Sequence, residues 1–572
     1  MDRREIKETP IWALYQKGRD YHRRIGTFVD TDRNYRFYEG DQWNGAKLGD
    51  VEPVTINFIK PIVKYKCAVI HDNLYIPVYS AQNHESRLFQ RESERWCKLL
   101  NSYARKIWES EKMDFKGRRV TKDAAINDEG IIYVRFDEKT KMPVNEIVKK
   151  NDIYYGNEND DEIQRQPYIL IRKRLSQTEA IDLARSFSLP KSKEELIVGD
   201  NETFEESGDA AKQEVDENVT VVYKMWKDGE TVHFSVATRF CTIAEDKDLG
   251  ISRYPIAHFN WEEKEGSSRG EGEVRWLVPN QIEVNRIAVR RDITVKYTAH
   301  PTKIVDVSKV QNPNALTTVG GIVKTNGMPV DDVSKIIGII PPAQMSADVK
   351  LLQDDLVNIS RELAGAGEAA TGTIDPEQAS GRAILAVQQT SRAPMTEQKE
   401  SFKNFVEDLS LIWLDYLISY SDGGIPMEEE VTDPMSGRKV TQVVMVPQTA
   451  LRALQATVKV DVTPKSPLDR YAQEQTIENL FVQGLLTPQR VGELETYANM
   501  LDDDSVAPKQ KILDAVEKIK EAQMQIAQID AQAKLRQQRA NAFLMADPES
   551  QANAILEAQA AAQMQNQQMP LQ

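Results

Sequence analysis

Apolar residues recur at helical spacing in two early segments of the chain. In residues 55–70 they occupy one face, with lysines on the opposite face. The apolar residues of this face are Ile59, Ile62, Val63 and Ile70. A second stripe, over residues 92–110, is formed by Trp96, Leu99, Leu100, Tyr103, Ile107 and Trp108. Both segments are predicted to be amphipathic helices packed on a core.

Strand-like patterns follow the two helices. Alternating or β-branched runs separated by turn residues occupy 130–137, 167–175 and 219–229. Residues 189–217 are acidic and nearly free of aromatics, which predicts an exposed loop. Residues 1–265 are therefore predicted to form an α+β domain.

The middle of the chain predicts two helices that flank a small β-rich insert. After a Gly-rich joint, residues 273–299 carry a helical pattern of roughly 25 residues, close to 40 Å long. Residues 300–345 contain three short apolar runs separated by Gly, Asn and Pro, which is typical of short strands. Residues 346–363 return to helical spacing, with one apolar face. That face consists of Val349, Leu352, Leu356, Ile359 and Leu363.

A glycine-rich segment follows this second helix and predicts a mobile loop. Its glycines are Gly365, Gly367, Gly372 and Gly381. Asp375 as N-cap, Pro376 at the first helical position and Gln378 then predict the start of a helix that runs to about residue 421. Pro394 is expected to kink it. An ordinary disordered connection between helices is the alternative interpretation.

Length and charge exclude some classes of protein. A chain of 572 residues is too long for one core and predicts several domains. Its net charge of -15 argues against binding nucleic acid over the whole surface, although a local basic stripe is compatible with it. Three separated cysteines favour a reducing compartment. Without a signal-like or membrane-spanning apolar run, the chain is expected to be soluble and made in a cytoplasm.

Motifs for catalysis and metal binding are weak. The sequence contains no phosphate-binding P-loop and no H-E-x-x-H pair, and its six histidines lack ligand spacing. We expect no metal, no cofactor and no enzymatic activity. "GSSRG", residues 266–270, matches the G-x-S-x-G pattern formally, but charged residues flank it where a nucleophile elbow needs a buried strand and a helix. The segment is predicted to be a charged, flexible joint, with a nucleophilic Ser268 as the alternative.

A local cluster of bases lies on the long helix predicted at 273–299. Arg286, Arg290 and Arg291 fall within about one turn, and Lys296 lies just beyond. They are either a solvated face or a basic band that faces phosphates or pairs with acids of a neighbouring helix.

Near the C-terminus, residues 521–572 are rich in Ala and Gln. They predict either a helix that packs only when repeated around a ring, or a disordered tail.

The order of these segments resembles bacteriophage portal proteins, the rings through which DNA enters and leaves the capsid. "YRFYEGDQW" is similar to that family's first helix end and turn, where its aromatics would lock an N-terminal helix onto the wing. "GEGEVRWLVPNQIEVNR", with Gln281 and Asn285, resembles the start of the first stem helix. "TGTIDPEQASGRAILAVQQ" resembles the tunnel loop, and "VDVTPKSPLDRYAQEQTIENLFVQGLLT" the passage from wing to crown.

The resemblance implies a portal-like subunit with wing, helical stem, small β-rich clip and helical crown or barrel. The implied parts are wing 1–265, first stem helix 266–299, clip 300–345, second stem helix 346–363, tunnel loop 364–381, kinked helix and C-terminal wing 382–465, crown 466–520, and Ala/Gln-rich extension or barrel 521–572.

It also implies a function and partners. About twelve copies would form a ring at the capsid vertex of the virion, through which double-stranded DNA passes without nucleotide hydrolysis by the ring. The implied partners are the terminase large subunit, head-completion, adaptor or tail proteins, and the major capsid protein, with no membrane. Twelve copies at -15 would carry about -180, so DNA could slide. Another phage neck or connector ring protein is the alternative.

Three sets of residues follow from the resemblance as candidate sites. The tunnel loop would present Gly365, Gly367, Glu368, Gly372, Asp375 and Pro376 to DNA. The stem would use the four bases named above to contact DNA or a neighbouring subunit. The clip would present a docking surface that includes Lys303, Lys309, Lys324 and Lys335.

Overall fold

The computed structural model describes residues 7–46, 51–81, 87–200, 218–300, 302–318, 321–326, 337–341, 345–346, 348–367, 393–420, 424–432, 439–454, 457–464, 497 and 509–544. The chain divides into two compact units, Met1–Thr463 and Pro464–Gln572. The first unit combines helices with several small sheets, which confirms the predicted α+β class.

Helices and strands alternate irregularly along the described chain. The helices are α1 (Pro10–Ile25), α2 (Thr27–Glu39), α3 (Ile59–Ile70), α4 (Arg87–Ser110), α5 (Met113–Asn127), α6 (Gln177–Ser186), α7 (Lys191–Glu194), α8 (Glu273–Ala299), α9 (Asp348–Leu363), α10 (Thr396–Tyr420), α11 (Gln448–Ala453) and α12 (Lys509–Leu544). The strands are β1 (Asn73–Ser80), β2 (Glu129–Asp137), β3 (Met142–Val148), β4 (Ile153–Tyr155), β5 (Ile169–Ser176), β6 (Asn218–Asp228), β7 (Thr231–Ala237), β8 (Thr242–Asp248), β9 (Ile256–Asn260), β10 (Lys303–Val305), β11 (Ile337–Ile339), β12 (Ile425–Thr432), β13 (Lys439–Val446) and β14 (Thr457–Pro464).

Two antiparallel sheets organise the first unit. The larger has five strands in the order β4-β5-β6-β7-β8, and the smaller has three in the order β3-β2-β9. The strands predicted at 130–137, 167–175 and 219–229 form β2, β5 and β6. Part of the predicted loop at 189–217 is the short helix α7, and residues 201–217 lie outside the described residues.

Helix α10 packs against the three-stranded sheet. Trp413 is fully buried, and its indole nitrogen donates to the side-chain oxygen of Asn145 in β3 at 2.9 Å. The Tyr416 hydroxyl donates to the backbone oxygen of Val134 in β2 at 3.1 Å. Because buried indole and phenol groups need such partners, these bonds fix the orientation of α10 on the sheet. The helix begins just after Pro394, and its predicted earlier part lies outside the described residues.

The aromatic stretch at 35–43 largely has the predicted packing role. Phe37 and Tyr38 are buried in the core. The indole nitrogen of Trp43 donates to the Val54 backbone oxygen at 3.3 Å, which holds the turn after α2 against the following segment. Tyr35 does not share this role, since it is 47% exposed.

Helix α3 follows its predicted pattern with one exception. Ile59, Ile62, Val63 and Ile70 are buried as expected. Lys66, which was expected on the solvated face, is also buried, because its ammonium forms an ion pair with a buried carboxylate of α8, described below.

The β-rich insert between α8 and α9 is a small hairpin-like unit. β10 pairs antiparallel with β11, in a register that places Ile304 opposite Gly338. Within the described residues, the predicted central strand contributes a single bridge, between Val310 and Thr325. The described part of the insert buries few side chains, as expected for so short a segment.

Candidate functional site: the paired helices and their β insert

The long helix α8 starts at a buried, highly charged joint. Its N-cap, Gly272, donates its backbone N–H to the Asp128 carboxylate at 2.7 Å. The first helical residue, Glu273, is buried and accepts bonds from the Lys66 ammonium at 2.6 Å and the Trp261 indole at 3.2 Å. Carboxylates are favourable here because the helix dipole is positive at its N-terminus. The start of α8 is thus bonded to α3 and to the turn before β2.

Arg269, three residues before this N-cap, is the centre of the joint. Its side chain is 7% exposed and forms ion pairs with Glu129 and Glu158, at 2.8 Å in the second case. It also donates to the backbone oxygen of Ile153 at 3.0 Å and lies 4.8 Å from the ring centroid of Tyr155. One guanidinium therefore joins β2, β4, the segment after β4 and the start of α8.

Two histidines complete this cluster. His22 of α1 is fully buried, with its Nε2 3.4 Å from a Glu158 oxygen and 3.0 Å from an Arg269 nitrogen. His258 of β9 has its Nε2 2.8 Å from a Glu129 oxygen. Each of the two carboxylates is thus held by the arginine and by one imidazole.

Burial and charge shift the pKa values of this cluster in opposite directions. Burial, with a contribution from Arg269, lowers the pKa of His22 to about 4. Burial alone would raise the pKa of Glu158, but the charge of Arg269 and hydrogen bonds from His22 and Arg269 outweigh it and lower the pKa to about 2. The pKa of Glu129 is also lowered, because Arg269 and His258 outweigh its burial. At neutral pH the site holds two carboxylates and a neutral His22.

The segment predicted to be a charged, flexible joint, residues 266–270, includes two enclosed side chains. Ser268 and Arg269 are buried because the cluster encloses them. The Ser268 hydroxyl lies 3.4 Å from the backbone oxygen and from a carboxylate oxygen of Glu158. A serine nucleophile needs an accessible hydroxyl and an adjacent base. Here the hydroxyl is enclosed, and its carboxylate neighbour is already bound to Arg269.

About two to three turns into α8, two amide side chains bind the segment before α3. The Gln281 side chain accepts from the Phe58 N–H at 3.1 Å and donates to the Ile56 oxygen at 2.7 Å. Asn285 accepts from the Ile56 N–H at 3.1 Å and donates to Gln42. The two residues that carried the resemblance at this helix therefore satisfy backbone groups of the segment before α3, among them the N–H of the buried Phe58.

Helices α8 and α9 are joined along a polar seam. Arg291 donates to the Gln353 side-chain oxygen at 2.5 Å, and Asn280 donates to the Ser360 hydroxyl at 2.9 Å. Gln353 and Ser360 are 4% and 1% exposed. The inner face of α9 is therefore lined by polar side chains at its two most buried positions.

Three of the five residues of the predicted apolar face of α9 point outward instead, whereas Leu356 is partly buried against the core. Leu352 is 53% exposed, Ile359 50% and Leu363 80%. These positions are spaced by seven and four residues, so they lie on one side of the helix. The sequence predicted this apolar face correctly but did not show that it faces away from α8. In the same region, Val295 and Tyr297 of α8 are more than half exposed.

The four predicted bases of the stem have different partners. Arg286 pairs within its own helix with Glu283 at 2.5 Å, and Arg290 is exposed without an ion pair in the described part of the chain. Arg291 belongs to the polar seam. Lys296 pairs with Asp292 and with Glu52, each at 2.9 Å. Whether any of them contacts DNA or another subunit stays a prediction.

The insert exposes both charged and apolar side chains. Lys303 donates to the Leu316 backbone oxygen at 2.6 Å, Lys309 pairs with Asp306 at 3.5 Å, and Lys324 is exposed. Lys335 lies outside the described residues. The exposed apolar side chains of the insert are Ile304, Val307, Ile322, Ile339 and Ile340. An exposed set of this kind is typical of a surface that another protein covers.

The predicted tunnel loop is described only at its start. Gly365 has a left-handed backbone with φ of 67°. Its N–H bonds to the Glu362 oxygen at 2.9 Å, and the Ala366 N–H bonds to the Arg361 oxygen at 2.8 Å, which is the Schellman ending of a helix. The remaining residues of this prediction lie outside the described residues; they are Glu368, Gly372, Asp375 and Pro376.

Among the described residues, no group of His, Cys, Asp and Glu side chains is arranged to hold a metal ion. Likewise, none of the described helices has the length and hydropathy needed to cross a bilayer.

Comparison with known families gives a match over most of the chain. The model of the family described as phage P22-like portal protein matches residues 157–572. This range includes α8, the insert, α9, and the rest of the chain to its last residue. No curated protein matches the chain significantly.

Proposed function

The chain belongs to the phage P22-like portal protein family, and from this premise we propose that about twelve copies close into a ring that conducts double-stranded DNA. Members of such a family assemble into rings at a vertex of the virion capsid. The match to a portal family also favours this function over that of another neck or connector protein.

The observation that carries the proposal is the outward apolar face of α9. Leu352, Ile359 and Leu363 form a stripe on a helix whose inner side is already bonded to α8 through polar groups. A ring requires the same heterologous contact between every pair of neighbours, so each subunit must offer a face that it does not cover itself. We propose that a helix of the next subunit covers this stripe.

The charged joint before α8 would serve the ring by fixing the stem. Its ion pairs and hydrogen bonds connect the start of α8 to α1, α3, β2 and β4. A helix held at one end by buried bonds keeps a defined direction, and identical directions are needed for identical contacts to close. The joint would therefore set the angle between the stem and the sheets.

The insert and the segment after α9 would carry the contacts with other molecules. We propose that the exposed side chains of the insert dock the terminase large subunit during packaging, and adaptor or tail proteins afterwards. The residues after Gly365 would form a loop at the narrowest part of the channel. Arg286 and Arg290 are exposed on α8 and would supply weak, salt-dependent contacts to DNA phosphates. The ring itself would perform no hydrolysis.

Ring assembly tests the proposal directly. Leu352→Asp combined with Ile359→Asp adds two charges to the stripe without touching the seam. We expect the wild-type protein to form rings, and the double variant to remain monomeric and folded, by native mass spectrometry and circular dichroism. Asn358→Asp places a carboxylate at an exposed position of the same helix and should leave the rings intact. Rings of normal size from the double variant would refute the role of the stripe.

A further inference from the structure

An open groove of about 760 Å³ lies among residues of β2, β5, β6 and β7, of α6, and of the end of α10. Seven aromatic side chains line it: Tyr133, Phe136, Phe187, Tyr223, Phe234, Tyr416 and Tyr420. A second cavity of about 470 Å³ adjoins it and shares Glu138, Asp248, Leu249 and Tyr420 with it. None of the lining residues belongs to the paired helices or the insert.

Only some of the tyrosine hydroxyls that line this groove have a hydrogen-bond partner in the described part of the chain. Tyr416 donates to a backbone oxygen, as described above. Tyr133, Tyr223 and Tyr420 have no hydrogen-bond partner for their hydroxyls within the described part of the chain. They are half-buried and line the groove, so their hydroxyls can donate to a molecule that occupies it.

The two ends of the groove differ in charge. At one end Glu146 pairs with Arg135 at 2.7 Å and also with Lys173, whose ammonium lies 5.3 Å from the Tyr133 ring centroid. At the other end, Glu138 and Asp248 form no ion pair with any described residue. Of the other cations, Lys247 lies over the Phe187 ring at 4.8 Å from its centroid. Lys141 lines the adjoining cavity beside the two carboxylates, without an ion pair to either in the described part of the chain. Two carboxylates against one lysine leave this end net negative, so it can bind a further cation.

From this arrangement we infer that the groove binds an extended, proline-containing segment of another protein, with a basic residue of that segment against Glu138 and Asp248. Polyproline II segments have no internal hydrogen bonds, so their carbonyls accept bonds from groups such as tyrosine hydroxyls. Their prolines pack on aromatic grooves at low entropic cost because the segment is already extended. Unpaired carboxylates at one end select a basic residue and repel the phosphates of DNA.

Two heptapeptide probes test the inference on the full-length protein. One is Arg-Ala-Leu-Pro-Pro-Leu-Pro, the other is its reverse, and each has a counterpart with Glu in place of Arg. All are acetylated, amidated and labelled for fluorescence anisotropy. We expect saturable binding of at least one arginine peptide below about 1 mM. We expect the glutamate peptides to bind at least about tenfold more weakly, since they lose a charge-assisted bond.

Variants of the groove separate the two kinds of contact. Glu138→Gln with Asp248→Asn should raise the Kd of the arginine peptide about tenfold. Tyr133→Phe with Tyr223→Phe keeps the two aromatic side chains but removes their hydroxyls. This variant should also raise the Kd of the arginine peptide. The matched control, Asp228→Asn with Glu230→Gln, removes two exposed carboxylates at the β6–β7 turn and should change nothing.

Three results would overturn the inference. They are no saturable binding of either arginine peptide, equal binding of the glutamate peptides, and binding that is unchanged by the Glu138 and Asp248 substitutions. A fourth result would assign the groove to a second copy of the chain instead. In that case the peptide would bind the monomeric variant of the α9 stripe but not the assembled ring.

Discussion

The side-chain amide of Asn285 donates a hydrogen bond of 2.5 Å to the side-chain oxygen of Gln42, across 243 residues of sequence. Gln42 in turn donates to the Phe37 backbone oxygen at 2.8 Å. The aromatic turn near the N-terminus is thereby bonded directly to the long helix α8. The packing role predicted for this turn thus extends to holding α8 in place.

Replacement of the amides of α8 should loosen this contact. Asn285→Ala leaves the Ile56 N–H and the Gln42 side chain without their partner, and we expect a loss of about 1–3 kcal/mol in unfolding free energy. Urea denaturation of the purified protein measures it. Asn358→Ala, at an exposed position of α9, is the matched control and should change stability by less than about 0.5 kcal/mol. Equal stability of the two variants would contradict the proposed role of Asn285.

The elements of this region could be predicted from the sequence, but the orientation of their faces could not. The long helical pattern at 273–299 matches α8, because a periodic stripe of that length allows few alternatives. The apolar stripe of α9 was equally visible. Its outward direction was not, because periodicity shows that a face is apolar without showing which neighbour covers it.

The charged joint could not be predicted for a different physical reason. Lys66, Glu129 and Arg269 each have a buried partner more than 100 residues away. A lone charge in a single sequence is most often solvated, and nothing local distinguishes these three. The small residues around Arg269 suggested a flexible joint, whereas they allow the chain to pass close to Asn260 and Glu262.

Loss of Arg269 should be among the most damaging single changes in the first unit. Arg269→Met leaves Glu129 and Glu158 buried without their cation, and we expect a loss of about 3–5 kcal/mol. Arg165→Met removes an exposed pair with Glu162 and should cost at most about 1 kcal/mol. The midpoints of thermal unfolding compare the two variants.

A second substitution tests whether unpaired charge causes this loss. Adding Glu158→Gln to Arg269→Met removes one of the two uncompensated carboxylates and should recover part of the stability. If the double variant is less stable than Arg269→Met alone, lost packing is the cause instead.

His22 should make stability depend on pH in a defined window. Its pKa is lowered from 6.5 to about 4 in the folded chain, so the unfolded chain binds a proton first as pH falls. Folding stability should therefore be complete above pH 6.5 and decline between 6.5 and 4, by roughly 3 kcal/mol for this group. Urea midpoints at a series of pH values measure the slope, which His22→Gln should reduce.

His233 provides a control, because its pKa is shifted in the opposite direction from that of His22. A hydrogen bond to Asp246 raises its pKa, so its contribution is present at low pH and is lost as pH rises through the folded pKa. His233→Gln should therefore leave the decline between pH 6.5 and 4 in place or steepen it. An unchanged slope in His22→Gln would assign the acid sensitivity to other groups.

The segment after α9 should affect DNA without affecting the ring. Gly367→Pro with Gly372→Pro would stiffen the predicted tunnel loop, and we expect normal rings with impaired DNA packaging or retention. Gly367→Ala is the control, since its added methyl would meet Glu362 at an ordinary 3.6 Å. DNA content of purified particles is the measurement. A ring structure with residues 365–381 on its outer surface would defeat the prediction.

The β insert should be removable without unfolding the first unit. The Ile340 N–H bonds to the Thr302 oxygen at 2.9 Å, so the two ends of the insert lie side by side. A short Gly-Ser linker in place of residues 303–340 can therefore join α8 to α9 without straining either helix. We expect the deletion variant and the wild-type protein to have the same midpoint of thermal unfolding, because the insert contributes little to the core.

Docking, in contrast, should be lost with the insert. The exposed apolar side chains, together with Lys303, Lys309, Lys324 and Lys335, are proposed to form the surface for terminase and adaptor proteins, and the deletion removes all of them. Phage complementation and co-purification with tail components measure the effect. A variant in which only the four lysines are changed to glutamine distinguishes the contribution of charge from that of apolar contact. If charge contributes, this variant should dock more weakly than the wild-type protein, and the difference should shrink as the salt concentration rises. Normal phage assembly from the full deletion would exclude the insert as the docking surface.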